Sequence, residues 1–142
     1  MSIEKTRVET AEALRLARLN REDWNSAIRR GLYPDAPPVE PGRARLFDLD
    51  DLTAAYVLGQ LLEREVMQGF ACQIACDVLK IVRQTPAVAS LSAWKCFKPD
   101  GSPYVVVTAT RPQRGAVELF KFGIAKIRAT LAAGIREKTR GS

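Results

Sequence analysis

Between residues 34 and 42 the chain reads Pro-Asp-Ala-Pro-Pro-Val-Glu-Pro-Gly. No helix and no interior strand tolerates that run, because each proline fixes φ near about −65° and removes a backbone donor. The segment must be a loop, and what flanks it is equally constrained. Before it, Asn20 is placed to cap a helix over 21–30, Glu22 and Asp23 sit in its positively polarised first turn, and Gly31 supplies a stop. After it, Arg43-Ala44-Arg45-Leu46-Phe47 alternates charge and apolarity as a short strand does, and Asp48 is placed to cap the next helix. The order is therefore helix, proline bend, basic strand, helix.

The same periodicities organise the rest. Ala11, Leu14, Ala17 and Arg18 predict a first helix over 10–18 capped by Thr10. In the 21–30 helix, Trp24 and Ile28 form the inward stripe, and Leu19 is placed to staple onto Trp24. A third helix is expected over 49–66, a break at Gly69-Phe70, and a fourth helix over 71–84 that buries Ile74, Val78, Leu79 and Val82 and ends at Thr85-Pro86. Residues 92–96 and 104–110 read as strands of a hairpin whose turn is Lys98-Pro99-Asp100-Gly101-Ser102. The last stretch, about 115–138, reads as an amphipathic helix with Val117, Phe120, Ile124, Ile127 and Leu131 at spacings of three and four, a short heptad seam. The expected class is α+β, mainly helical, in two units: 8–85, and a hairpin plus helix over 91–138.

Composition narrows the function classes. With 46% hydrophobic and 27% charged residues the chain is ordinary globular protein, so wholesale disorder is not expected. A net charge of +6 favours a polyanionic partner. No apolar run is long enough for a membrane span, Met1-Ser2-Ile3-Glu4-Lys5 lacks the apolar stretch of a secretion signal, and an odd cysteine count argues against a disulfide framework. A cytoplasmic protein with no membrane partner is the expectation. Histidine is absent, carboxylates fall where caps explain them, and no Gly-rich phosphate loop is present, so no enzyme activity and no cofactor are expected. Cys72 and Cys76, four apart, with Cys96 as a third thiol, invite a metal reading. Their place beside an apolar stripe favours burial instead, and no metal site is expected.

Residues 10–84 resemble the DNA-binding domain of MerR-type regulators, a winged helix-turn-helix. Gly31-Leu32-Tyr33-Pro34 matches the end of that family's recognition helix, and Arg45-Leu46-Phe47 stands where it has Arg-any-Tyr. Asp50-Asp51-Leu52 stands at the opening of the third helix, and Met67-Gln68-Gly69-Phe70 resembles the break before the fourth. Asn25-Ser26-Ala27 replaces the family's usual Arg-Tyr-Tyr, so groove and phosphate contacts would come from Arg21, Arg29 or Arg30. Pro86 interrupts the continuation into a long dimerisation helix, which leaves Val117, Phe120, Ile124, Ile127 and Leu131 as the expected dimer seam.

The resemblance and the residues imply one function: sequence-specific binding of double-stranded DNA by a homodimeric transcriptional regulator on a pseudo-palindromic site. Candidate contacts are Asn20, Arg21, Asn25, Ser26, Arg29 and Arg30 in the major groove. Asparagine pairs with adenine and arginine with guanine there. Arg43 and Arg45 would grip phosphates beside them. No small-molecule effector is expected. The rival classes are a protein–protein adaptor or antiactivator on the same scaffold, and an excisionase-like architectural protein.

Overall fold

A computed structural model describes residues 6–140, with side chains to Glu137. The chain begins in a two-residue strand, β1 (Val8–Glu9), then α1 (Thr10–Ala17) and α2 (Arg21–Arg29). β2 (Leu46–Phe47) leads into α3 (Leu49–Glu63) and α4 (Gln68–Gln84). There follow β3 (Leu91–Phe97), β4 (Pro103–Thr108), β5 (Val117–Phe122) and α5 (Ile124–Arg140). The class is α+β, with five helices and two small antiparallel sheets among the described residues.

The helix starts follow the local chemistry of two caps. Asn20 Oδ1 accepts the Glu22 and Asp23 N–H groups at 2.8 and 3.2 Å. Asp48 and Asp51 form a reciprocal capping box at the start of α3. Thr10 is not a cap: the N-cap is Glu9, without a side-chain bond. Three helices end alike, in a left-handed residue followed by a bond back over the last turn. The residues are Arg18 (φ 55°), Gly31 (φ 68°) and Glu65 (φ 64°). The bonds run from Leu19 N–H to the Leu14 carbonyl at 3.0 Å, Leu32 to Ala27 at 2.9 Å and Val66 to Leu61 at 3.0 Å. Only Gly31 advertises this closure, since it alone lacks a Cβ to oppose positive φ. The break between α3 and α4 therefore falls at 64–67 rather than at Gly69-Phe70, and α4 starts earlier than expected, with Gly69 and Phe70 inside it.

The C-terminal part differs most from expectation. β3 and β4 form the expected hairpin, but the sheet has a third strand, in the order β4-β3-β5. β5 occupies 117–122, which the helical spacing had assigned to the last helix; α5 starts only at Ile124. The run Val-Glu-Leu-Phe-Lys-Phe has helical spacing but β-prone side chains, and pairing with the otherwise bare edge of β3 decides for strand. The proposed seam is therefore not one helix face. Val117 and Phe120 lie on β5, while Ile124, Ile127 and Leu131 are buried in the chain's own core. The basic segment is also shorter as a strand than expected: only Leu46–Phe47 pairs, and its partner is β1.

One hydrophobic cluster runs from Ala13 to Ile135 and includes residues of every helix. α3 is its axis, with Leu52, Ala54, Ala55, Val57, Leu58 and Leu61 wholly buried and α1, α4 and α5 packed around it. A smaller cluster, Trp94, Cys96 and Ala116 with Val106, covers the other face of the sheet.

α1 reaches α3 through a glycine. A Cβ at Gly59 would lie 3.0 Å from the Arg18 carbonyl oxygen and 3.2 Å from that of Ala17, both backbone atoms. Alanine gains about 1 kcal/mol of helix propensity over glycine. Overpacking against fixed atoms costs about 1–3 kcal/mol. Gly59→Ala is therefore expected to lower stability, by about 1 kcal/mol net of that gain, in a urea melt. A variant as stable as the parent would contradict this close approach.

Candidate nucleic-acid interface

α2 is seated by its aromatic face. The Trp24 ring centroid lies 5.4 Å from that of Tyr33 and 5.4 Å from that of Phe47, so one buried indole ties α2 to the proline loop and to β2. Such pairs contribute about 0.5–1.5 kcal/mol each beyond burial. Ala27 is fully buried beside it. With Asn20 at one end and Gly31 at the other, the backbone of α2 is held at both termini.

The candidate residues then divide. Arg21, Asn25 and Arg29, successive positions four apart, are exposed, and among the described residues none has a side-chain hydrogen bond or ion pair. Asn20 is exposed but engaged through Oδ1 as the cap. Ser26 and Arg30 both turn to Gln68 on α4: the Ser26 hydroxyl donates to Gln68 Oε1 at 3.4 Å, and the Arg30 guanidinium donates to the same oxygen. Gln68 Nε2 donates to the Asp23 carbonyl at 3.1 Å.

The two arginines beyond the proline loop behave differently from each other. Arg45 is half-buried and donates to the Pro37 carbonyl, so it staples the bend rather than standing clear of it. Arg43 is exposed, with an ion pair to Glu40 at 3.4 Å that solvent leaves weak. Arg43 also lines a cleft of about 200 Å³ with Arg7, Pro38 and Leu46. Arg7, exposed beside β1, was not singled out in the sequence; nothing local marks it, and only the pairing of β1 with β2 brings it here.

Behind this surface lies an electrostatic anchor at the start of α3. Arg83 on α4 reaches Asp51 at 2.8 Å and Asp48 at 3.4 Å. Burial pushes Asp51 up to about 6, with the neighbouring Asp48 charge adding to the rise and Arg83 opposing it. Burial also works against Asp48, but the Asp51 N–H and the Arg83 charge prevail and hold it below the usual carboxylate range. Cys72 and Cys76 are buried thiols pushed up to about 11, chiefly by burial. Among the described residues no group of three or more His, Cys, Asp or Glu side chains is arranged to hold a metal ion. No helix among them is long and apolar enough to cross a membrane. Compared with family models and with curated proteins, the chain matches none.

The Asp51 shift has a definite sign. Its folded value lies above the unfolded one, so its contribution favours the folded state below about pH 4 and is lost as pH rises through about 6. The stability advantage of the parent over Asp51→Asn is expected to be larger at about pH 5 than at about pH 7.5, by about 1 kcal/mol, in paired urea melts. An equal advantage at both pH values would show that Asp51 titrates normally.

Proposed function

We propose that the chain is a sequence-specific double-stranded DNA-binding protein, a transcriptional regulator built on a MerR-like winged helix-turn-helix. One observation carries the reading: Arg21, Asn25 and Arg29 form an exposed, uncommitted row on a helix whose other face is fixed by Trp24. A seated helix with an arginine–asparagine–arginine row has the donors that recognise guanine and adenine edges in a major groove. The net charge of +6 and the exposed Arg7 and Arg43 supply sequence-independent attraction to phosphates. Arg45 contributes by holding the proline bend at Pro37. Two copies on a pseudo-palindromic site complete the reading. Ile124, Ile127 and Leu131 are engaged in the chain's own core, so pairing would use another surface, for which the exposed Val117 and Leu119 of β5 are available.

Those same two residues favour the rival reading, a protein–protein adaptor. The two separate by selection of bound sequences from a random duplex pool in low salt, with the oligomer size recorded. The DNA reading expects recovery of a preferred site. Asn25→Ala is expected to change the preferred base at one position of each half-site. Arg43→Ala is expected to weaken binding to all sequences alike and to reduce the slope of log affinity against log salt by about one. Absence of any duplex binding in dilute buffer would reject the reading.

A further inference from the structure

We infer that Gln68 is the positioning residue of the α2 surface: one amide, projecting from the first turn of α4, sets how the recognition row is presented to DNA. The inference rests on the DNA-binding reading and names a residue outside the row itself. Three contacts of that amide end on α2, at the Asp23 carbonyl, the Ser26 hydroxyl and the Arg30 guanidinium. They span the helix from its first turn to its C-cap, on the side that neither Trp24 nor the exposed row occupies. The aromatic contacts of Trp24 fix how deeply α2 sits, but a helix held along one stripe can still roll about its axis. A side chain that grips the first turn and the last from a neighbouring helix opposes that roll.

The chemistry suits the task. A side-chain amide donates and accepts at one terminus through separate atoms, as the Asp23 carbonyl and the Ser26 and Arg30 donors together require. Alanine at position 68 removes all three contacts. Glutamate keeps an acceptor for Ser26 and Arg30 and loses the donor to Asp23. Arg30 is thereby assigned a support function: its guanidinium faces Gln68 and not the row formed by Arg21, Asn25 and Arg29.

The test uses the full chain and the duplex recovered by selection, with a scrambled duplex as reference. The quantity read is the ratio of the two affinities, in which a changed overall charge largely cancels. Gln68→Ala is expected to lower that ratio about tenfold, the scale of losing contacts that include a charged donor. Gln68→Glu should recover part of it. In the Gln68→Ala/Arg30→Ala double variant the losses should not multiply, because both substitutions release the same restraint. A ratio unchanged by Gln68→Ala, or losses that multiply in the double variant, would overturn the assignment.

If the parent binds no duplex, the DNA reading fails, and amide hydrogen exchange decides the Gln68 claim by itself. Exchange across 24–29 should then be faster in Gln68→Ala while α3 stays unchanged. Equal exchange in α2 would reject the positioning claim.

Discussion

The arrangement depends on a helix that its neighbours enclose along most of its length. α3 is buried from Leu49 to Leu61 on nearly all sides, and a helix apolar all round has to be enclosed by its neighbours. α1, α4 and α5 supply the enclosure. Polar groups near its start are satisfied: the Thr53 hydroxyl donates to the Leu49 carbonyl at 2.7 Å, Asp51 receives Arg83, and Asp50 receives Arg128 of α5 at 2.6 Å. The acidic N-terminus of α3 is thus the point where α4 and α5 are both tied by charge. Arginines there also find carboxylates held at the positive end of the helix dipole.

Enclosing α3 determines what is left over. α2 is not part of the shell; it lies outside, held by Trp24, Ala27 and the Gln68 amide. That position frees its outer side chains from any structural duty. A helix already held in place loses little backbone entropy on meeting a partner, and the cost that remains is the ordering of its free side chains. The proline loop belongs to the same logic. Tyr33 and Phe47 pack on Trp24 from its two ends, and Arg45 clips it to Pro37, so a segment without regular structure is still fixed relative to α2.

What could be read from the residues was what they decide locally. Asn20, Gly31 and Asp48 act on neighbours within a few positions, and their helix limits follow from side-chain chemistry alone. The left-handed Arg18 and Glu65 gave no such signal, because nothing in either side chain asks for positive φ; the buried Leu19 and the half-buried Val66 that follow them account for the chain reversing there. β5 is ambiguous in sequence for a different reason. Six β-prone residues at helical spacing are settled only by a partner strand, and the β3 residues they pair with lie 22 to 31 positions upstream, outside any local pattern. Gly59 and Gln68 are the extreme case. Gly59 matters through the Ala17 and Arg18 carbonyls and Gln68 through bonds to residues 38 to 45 positions away, and neither residue's own neighbours in sequence reveal those partners. The candidate row on α2 was legible because amphipathicity separates Trp24 from Arg21, Asn25 and Arg29 in the sequence itself. The divided duties of Arg43 and Arg45 were not.

The central claim is that the outward face of α2 is a duplex-binding surface. A residue-resolved NMR titration of the chain with pooled duplex DNA in low salt tests it most directly. The account predicts that the largest shifts fall within 20–30, with smaller ones near Arg7 and Arg43, while β3 and β4 stay unmoved. Shifts confined to the three-stranded sheet, or none at all, would contradict it.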